Sequence, residues 1–178
     1  PSRAVGPRTK VAVDSIEKEV DPVGACIGAR GARIQQVVNE LRGEKIDVIK
    51  WSSDPIQYIL NSLSPAKVDL VRLVDPEGQH AHVLVPPDQL SLAIGREGQN
   101  VRLAARLTGW KIDVKNSHEY DQEAEDAAVS ELILQREEEE NLQRQAEQRL
   151  EAEQAERAAE DARLRELYPL PEDDEEYG

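Results

Sequence analysis

One short pattern occurs twice in this chain and constrains its fold more than any other feature. The segment IGARGARIQQVVNELRGEKIDV at 27–48 matches IGREGQNVRLAARLTGWKIDV at 94–114, at an offset of 67 residues and with one residue fewer in the second copy. The matches fall in a Gly-x-x-Gly loop and again in a KIDV segment beyond the next predicted helix. Chance seldom produces both matches, so we infer a duplicated structural unit.

Around each loop, the sequence predicts a small domain of mixed strands and helices. Alternating apolar residues indicate strands, and apolar residues three and four apart indicate helices. Asp–Pro pairs start helices, and Gly43 and Gly109 are expected to end them, since glycine readily adopts the left-handed conformation found there. The second copy follows the order helix, strand, strand, helix, helix, strand. The predicted strands are 9–15, 45–51, 66–74, 79–86 and 110–116, and the predicted helices are 21–27, 32–41, 54–63, 87–94 and 99–107.

Charge separates the end of the chain from the rest. Up to residue 118 there are 16 Lys and Arg against 14 Asp and Glu, whereas the remaining 60 residues carry 6 against 22. That last third is rich in Ala, Glu, Gln, Arg and Leu, which favour helix, and it ends in an acidic sequence typical of disorder. We therefore predict a first domain at 1–51, a second at 52–118, and a mostly helical, then disordered acidic tail at 119–178.

The two glycine loops are suited to bind a phosphate backbone. Glycine lacks a Cβ, so the loops permit a tight turn and the close approach of another backbone. The helix after each loop begins with unpaired N–H groups and a positive dipole end, which attract anions. Arg30 and Arg96 add positive charge within the loops. One such loop alone would fit an ordinary helix–turn–helix corner, but two copies with the same flanking elements favour nucleic-acid binding.

The candidate nucleic-acid contacts are of three kinds. Loop residues and the arginines after them would contact phosphates, while the isoleucine before each loop would offer apolar surface to bases or simply pack in the core. The amides of Gln99 and Asn100 would read base edges or only cap the helix. Glu97 repels phosphate, so we expect it to point to solvent or pair with an arginine. The candidates are Ile27, Gly28, Ala29, Arg30, Gly31, Arg33, Ile94, Gly95, Arg96, Glu97, Gly98, Gln99, Asn100, Arg102 and Arg106.

These motifs resemble a known family. Each copy is similar to a KH domain, which clamps about four nucleotides of single-stranded nucleic acid with its Gly-x-x-Gly loop. The element order of the second copy is similar to the bacterial type II form. The segments RTKVAV, DPVGACIGARGARIQ, ELRGEKIDVIKW and DQLSLAIGREGQNVRLAARLTGWKID resemble the tandem KH region of the NusA family over about residues 6–115. The resemblance implies an α/β (α+β) fold of two tandem type II KH domains followed by the acidic tail.

The resemblance also implies a function and partners. Members of this family regulate transcription elongation, pausing, termination and antitermination. We therefore expect binding to single-stranded nascent RNA, association with RNA polymerase and other transcription factors, a cytoplasmic location and a monomer. The family's N-terminal polymerase-binding domain and OB-fold domain do not occur in this sequence. Only PSRAVGP precedes the segment TKVAV, so we expect a truncated first domain that lacks an edge strand.

The sequence offers little support for an enzyme. His80 and His82 share one face of a predicted strand, but a third metal ligand does not lie nearby in sequence. No glycine-rich loop is followed by Lys-Ser or Lys-Thr, so a P-loop is absent. Cys26 is the only cysteine, which excludes an intramolecular disulfide, and we expect it to be a small buried side chain rather than a nucleophile. We predict no catalytic residue, no metal site, no cofactor and no membrane span.

A protein-interaction scaffold that binds no RNA is the alternative function, because the first 118 residues are nearly neutral. The acidic tail would either compete with RNA for the loop arginines or act as a solvated helix that docks a protein. Glu–Arg pairs four residues apart favour an exposed helix there. These pairs are Glu140 with Arg144 and Glu153 with Arg157.

Overall fold

The structure is a computed structural model that describes residues 8–168 and the backbone of Ser2–Arg3. Its contacts divide the chain into two units, Pro1–Val129 and Ser130–Gly178. The described part of the first unit contains two three-stranded sheets, one in each predicted KH domain. The acidic end PLPEDDEEYG, predicted to be disordered, lies outside the described residues.

The first sheet has the strand order β1–β2–β3. Strand β1 (Ser2–Arg3) runs antiparallel to β2 (Arg8–Val13), and β2 runs parallel to β3 (Lys45–Lys50). Helices α1 (Pro22–Ile27) and α2 (Ala32–Glu40) form the crossover between the two parallel strands. The prediction that this sheet lacks an edge strand is wrong, because the two residues of β1 pair with β2. Strand β3 forms the other edge.

The second sheet has the strand order β4–β5–β6, with β4 and β5 antiparallel and β5 and β6 parallel. The predicted order of helix, strand, strand, helix, helix, strand is confirmed. Strand β4 begins later than predicted, because the Ala66 N–H donates to the Leu63 carbonyl in a turn and the Lys67 N–H donates to the Gln89 side chain rather than to a neighbouring strand. The elements are α3 (Pro55–Ser62), β4 (Leu70–Asp75), β5 (His80–Val85), α4 (Leu90–Ile94), α5 (Gln99–Thr108) and β6 (Lys111–Asn116).

The second domain has a continuous aliphatic core. Helices α3, α4 and α5 pack on one face of the sheet and bury Ile59, Leu63, Val83, Val85 and Ala104. Each large aliphatic side chain buried in this way stabilises the fold by about 2 kcal/mol. The first domain differs, because its largest fully buried side chain is that of Lys10.

The glycine predicted to end the helix after each loop has a different position relative to that helix in the two copies. Helix α5 ends as predicted at Gly109 (φ 78°), whose N–H donates to the Ala105 carbonyl. Helix α2 ends earlier, and Arg42 adopts the left-handed conformation (φ 58°) in place of glycine. The Gly43 N–H then donates to the Val38 carbonyl and completes a Schellman-type ending. The additional residue of the first copy is accommodated at this turn.

Side-chain contacts join the two KH domains within the first unit. The Lys10 ammonium on β2 donates to the carbonyl oxygen of Ser64 at 2.9 Å. The amide of Asn61 on α3 donates to the carbonyl of Lys50 at the end of β3 at 3.0 Å. The short connector leads directly into α3. Asp54 caps the N-terminus of this helix, because its side chain accepts a hydrogen bond from the Ile56 N–H. The tandem domains therefore form one compact unit.

The last helix, α6 (Gln122–Leu167), begins within the first unit and continues into the second. In the first unit, its Asp126 carboxylate pairs with Arg72 on β4, and Val129 is 6% exposed. In the second unit, the predicted Glu153–Arg157 pair is present at 2.6 Å. The Arg144 guanidinium donates instead to the backbone carbonyl of Glu140 at 3.4 Å. Within the described ranges, no helix has both the length and the hydrophobicity needed to cross a membrane.

Candidate nucleic-acid interface

The two Gly-x-x-Gly loops have nearly identical backbones. The first glycine has φ 74° and ψ 175° at Gly28, and φ 77° and ψ 174° at Gly95. The third loop residue is left-handed in both copies, with φ 53° at Arg30 and φ 54° at Glu97. The second glycine is left-handed as well, so each loop turns sharply between two helices. The sequence repeat is therefore a repeat of the same three-dimensional turn.

The first glycine of each loop is required by close packing as well as by its backbone angles. A Cβ at Gly28 would lie 2.7 Å from the Arg33 side chain, and a Cβ at Gly95 would lie 2.8 Å from Asn100. Both residues bond back to the helix before the loop. The Arg33 guanidinium donates to the Ala25 carbonyl at 2.8 Å, and Asn100 makes the corresponding contacts in the second copy.

Asn100 occupies a structural position. It is 4% exposed, and its amide nitrogen donates to the carbonyls of Ala93 at 2.9 Å and Leu63 at 3.1 Å. These bonds hold the amide inside the domain, where a base edge does not reach. Its neighbour Gln99 is only half-buried. Of the two amides considered from the sequence, the structure therefore leaves Gln99 as the one near the surface.

The loop arginines stand at neighbouring rather than equivalent positions. Arg96 corresponds to Ala29, and Arg30 corresponds to Glu97, and all four residues are exposed. Arg102 folds back to the loop, where its guanidinium donates to the Glu97 backbone carbonyl at 2.9 Å. Glu97 therefore contacts Arg102 through its own backbone carbonyl oxygen.

Arg106 lies on the same face of α5 as Arg102 but one turn farther from the loop, a rise of about 6 Å along the helix axis. It belongs to the last turn of α5. A ligand phosphate at the loop would therefore be closer to Arg102 than to Arg106.

The helices that follow the loops begin with glycine as the N-cap residue. Gly31 precedes α2 and Gly98 precedes α5, and glycine has no side-chain acceptor for the first N–H groups. The helices α1 and α3 are different, because the carboxylates of Asp21 and Asp54 accept hydrogen bonds at their N-termini. The N–H groups of Ala32 and Gln99, the first of each helix, donate to the carbonyls of Ala29 and Arg96 within the loops. An external anion would therefore be bound by the N–H groups that follow them.

An apolar groove runs beside the loop of the second domain. It has a volume of about 390 Å³, and Ile94 on its wall is 36% exposed. Strand β6 is the edge of its sheet, so part of its backbone N–H and C=O groups face away from the sheet and can pair with a ligand. The groove is lined by Ile94, Val101, Ile112, Asp113, Val114 and Lys115.

The first domain has a related groove beside its own edge strand, β3. Its volume is about 300 Å³, and residues of α3 from the second domain contribute to its wall. Ile27 corresponds in sequence to Ile94 and is half-buried at the end of α1, but it is not among the residues that line this groove. The groove is lined by Val23, Val48, Ile49, Lys50, Leu60, Asn61, Ser64 and Ala66.

Arg8 is a candidate site residue that sequence reasoning missed. It lies on β2 of the first domain, yet it lines a pocket of about 210 Å³ together with Gly95, Arg96 and Gln99 of the second. Its guanidinium makes a two-point contact with the Asp47 carboxylate at 2.8 and 2.9 Å. Arg8 and Arg96 are far apart in sequence, so only the folded chain shows that they line the same pocket.

Asp47 sits between two cations. Lys10 is fully buried and its ammonium lies 3.1 Å from the Asp47 carboxylate. Burial by itself would raise the pKa of Asp47, but the hydrogen bond from Arg8 and the charge of Lys10 outweigh it and hold this pKa below its usual value. The carboxylate therefore stays ionised and fixes both cations on the sheet.

Cys26 is exposed, so the prediction that it is a buried side chain is wrong. The residue lies near the end of the short helix α1.

Comparison with known families identifies both domains. Residues 2–51 match the family described as NusA-like first KH domain, and residues 55–122 match NusA-like second KH domain. Similar relatives carry the name "Transcription termination/antitermination protein NusA". The protein of Halalkalibacterium halodurans is 56% identical over 118 residues, which are 66% of this chain and 31% of the relative. The Bacillus subtilis protein is 55% identical over 115 residues, 65% of this chain and 31% of the relative.

The relative from Thermus thermophilus is 50% identical over 151 residues, which cover 85% of this chain and 35% of that protein. The chain thus spans about a third of the length of these curated relatives. The paired loops, the two sheets and the family matches agree on one conclusion. The chain contains the tandem first and second KH domains of the NusA family.

Proposed function

We propose that this chain binds single-stranded RNA through its two Gly-x-x-Gly loops, as part of a factor that regulates transcription elongation, pausing, termination and antitermination. The observation that carries the proposal is the repeated loop, whose backbone angles recur and whose second glycine caps the next helix. The names of the relatives, which are transcription termination/antitermination proteins, support the role in transcription.

The phosphates of the RNA would lie against the loops. The N–H groups that follow Ala32 and Gln99 in the first turns of α2 and α5 would donate to phosphate oxygens, and the exposed Arg30 and Arg96 would neutralise their charge. We assign Arg33 and Arg102 to the support of the loops as well as to this positive surface, since both donate to loop or helix carbonyls. Arg106 would contact the backbone farther along the strand.

The bases would enter the grooves beside β3 and β6. Ile27 and Ile94 would offer apolar surface to them, and the edge strands would offer backbone donors and acceptors. We assign the reading of a base edge to the amide of Gln99, which lines the pocket shared with Arg8, Gly95 and Arg96 rather than the groove beside β6. We assign Asn100 to the internal support of the second loop, because its amide is buried.

The two domains would engage one RNA strand together. The contacts of Lys10 with Ser64 and of Asn61 with Lys50 support a fixed arrangement of the two grooves. A fixed arrangement raises the effective concentration of the second site once the first is occupied, so modest sites combine into tight binding. Insertion of a flexible linker between Ser52 and Asp54 would lower RNA affinity if this is correct.

The role is non-catalytic, in the cytoplasm, with nascent RNA, RNA polymerase and other transcription factors as partners and a monomer as the acting form. The acidic tail would compete with RNA for the loop arginines.

The test is RNA binding by the full chain, measured by fluorescence anisotropy with a single-stranded RNA of about ten nucleotides over a range of salt concentrations. Each phosphate contact that is lost lowers the salt slope by about 0.7. The variant with Arg30→Ala and Arg96→Ala should therefore bind more weakly, with a slope smaller by about 1.4. Arg157→Ala, on the exposed part of α6, is the matched control and should leave both quantities unchanged.

A protein-interaction scaffold is the second candidate. The observation that favours it is the set of exposed leucines on α6, among them Leu134, Leu142 and Leu150. If the wild-type chain shows no salt-dependent RNA binding, the scaffold function stands and the RNA proposal fails.

A further inference from the structure

Two histidines and an aspartate meet on the second sheet. The His80 Nε2 lies 2.6 Å from the Asp113 Oδ2, and the His82 Nε2 lies 3.9 Å from the same oxygen. One ligand atom from each of the three residues can be chosen so that all lie within 4.8 Å of one another. The sequence showed only the two histidines, because Asp113 comes from β6, which is paired with β5 in the fold.

The first domain has a different set of side chains in the corresponding positions. There, Arg8 and Lys10 on the middle strand face Asp47 on the edge strand, and Lys10 is the direct neighbour of Asp47 in the strand register. In the second domain, His82 is the direct neighbour of Asp113 in the same kind of parallel register. The duplication therefore keeps the aspartate and replaces its two permanent cations by imidazoles.

This replacement changes the charge at the aspartate. In the first domain, a guanidinium and an ammonium balance the carboxylate. In the second, the imidazoles of His80 and His82 take the place of these two permanent cations beside the carboxylate. Each imidazole has a ring nitrogen whose lone pair can bind a metal ion. A bound metal cation would supply the missing positive charge.

The other charged groups around the cluster are engaged elsewhere. Lys115 on β6 pairs with Glu125 at 2.9 Å, and Arg72 on β4 pairs with Asp126 at 3.0 Å. Both partners belong to the first turns of α6. Lys115 and Arg72 are thus paired with carboxylates other than that of Asp113. The Asp113 carboxylate itself faces the two histidines.

The orientation of His82 is set by groups behind it. Its Nδ1 lies 3.0 Å from the Tyr120 hydroxyl, and that hydroxyl accepts a hydrogen bond from Arg72 at 2.8 Å. A histidine that binds a metal commonly donates its other ring N–H to a neighbouring oxygen, which orients the ring. When His82 donates its Nδ1–H to Tyr120, the free lone pair of the ring is on Nε2, the nitrogen nearer to Asp113.

We propose that His80, His82 and Asp113 bind one divalent first-row transition metal ion, with zinc as the preferred ion. Two imidazole nitrogens and one carboxylate oxygen suit zinc, which binds nitrogen and oxygen ligands at about 2.0–2.2 Å. Two ligands at that distance in a tetrahedron are about 3.3 Å apart, so small side-chain rotations bring the three atoms into place. Three protein ligands leave a fourth position for water.

The site has an entry path and a structural consequence. The Asp113 side chain is 41% exposed and also lines the groove beside β6, so an ion can reach the buried histidines from that side. A bound ion would tie β5 to β6 and stabilise the edge strand of the proposed RNA groove. Magnesium, which prefers six oxygen ligands, should not compete.

The test uses the full chain, titrated with zinc by calorimetry in millimolar magnesium chloride, so that magnesium occupies weak sites on the acidic helix. One equivalent of zinc should bind. His80→Gln and His82→Gln should each weaken zinc binding by at least about 100-fold. His118→Gln is the matched control, because His118 is exposed and lies on a turn after β6, and it should bind zinc like the wild type.

A second measurement needs no variant and so does not depend on how the variants fold. In nitrogen-15 spectra of the wild-type side chains, zinc should shift the imidazole nitrogens of His80 and His82 and leave those of His118 in place. The proposal is overturned if zinc binds without a defined stoichiometry, if His80→Gln binds as tightly as the wild type, or if the shifts are confined to His118.

Discussion

Gly95 lies directly against Asn100, with 2.8 Å between the position of an added Cβ and both the backbone nitrogen and the Cβ of Asn100. The second glycine of the same loop, Gly98, has more space, since the nearest atom to its Cβ position would be 3.6 Å away, at the end of the Arg102 side chain. The two glycines of one loop therefore have different requirements. The first is limited by packing and by its backbone angles, and the second by its angles alone.

The first prediction compares alanine at these two positions. Gly95→Ala should lower the free energy of unfolding by about 3 kcal/mol, because its φ and ψ are nearly restricted to glycine and the backbone of Asn100 cannot move aside. Gly98→Ala should cost about 1 kcal/mol, the penalty of a left-handed alanine. Urea unfolding of the full chain measures both. Equal losses for the two variants would contradict the packing difference.

The second prediction separates the neighbouring amides. Asn100→Ala removes the amide that donates hydrogen bonds to the carbonyls of Leu63 and Ala93. The change should lower the free energy of unfolding by about 2 kcal/mol. Gln99→Ala should leave stability nearly unchanged and weaken RNA binding instead. Unfolding curves and RNA anisotropy of both variants check this. If Gln99→Ala destabilises the fold as much as Asn100→Ala, the assignment of these roles is wrong.

The third prediction concerns Asp47 and pH. Asp47→Asn leaves the Lys10 ammonium buried without its carboxylate, so it should lower the free energy of unfolding by about 3 kcal/mol at pH 7. Because the pKa of Asp47 is lower in the folded chain than its usual value of about 3.9, its stabilisation is complete above that value and is lost as pH falls through the folded pKa.

The stability difference between the wild type and Asp47→Asn should therefore be constant between about pH 5 and pH 7 and narrow below about pH 4. Thermal unfolding across this range measures it. Asp69→Asn serves as the control, since Asp69 is exposed, and it should show no such narrowing. A difference that stays constant down to the lowest pH would rule out the ionised pair as the source of the stabilisation.

The fourth prediction concerns the carboxylate in the second loop. Glu97 is exposed and stands where the first copy has Arg30, so its charge should weaken phosphate binding. Glu97→Lys should tighten RNA binding several-fold at low salt and increase the salt slope by about 0.7, the value for one additional phosphate contact. Glu153→Lys, on the exposed part of α6, is the matched change of charge. An equal gain from Glu153→Lys would mean that net charge, rather than the loop, controls affinity.

The fifth prediction concerns the contribution of the first turns of α6 to the stability of the second domain. A chain ending at Val129 keeps the Arg72–Asp126 and Lys115–Glu125 pairs and the buried Val129 side chain, whereas a chain ending at His118 loses them. The shorter chain should be less stable by about 3 kcal/mol, from lost apolar burial and hydrogen bonds. Urea unfolding of both chains tests this, and equal stabilities would show that these contacts contribute little.

Comparison of the Val129 chain with the full chain also addresses the acidic tail. If the tail competes with RNA, the chain that ends at Val129 should bind RNA more tightly, and the difference should diminish at high salt because the competition is electrostatic. Identical affinities would leave the tail without a role in RNA binding.

The sequence by itself determined the local structure. The Gly-x-x-Gly turns, the helix starts at Asp–Pro and the strands of the KIDV segments follow from residues within a few positions of one another, because backbone preferences and helix capping act over that range. The repeat then showed that these local elements occur twice in the same order. For the same reason, the errors in the bounds of helices and strands were shifts of a few residues, such as the start of β4 at Leu70 and the end of α2 at Glu40.

The tertiary structure decided which side chains meet. Asp47 lies beside Arg8 and Lys10, and Asp113 lies beside His80 and His82. In both domains the contact is made between two parallel strands, and their register is set by the helical crossover that joins them and by core packing. The burial of Asn100 depends on the carbonyl of Leu63, at the end of a different helix. Such contacts join residues that local sequence does not relate, so the ionised cluster of the first domain and the histidine cluster of the second became visible only in the folded chain.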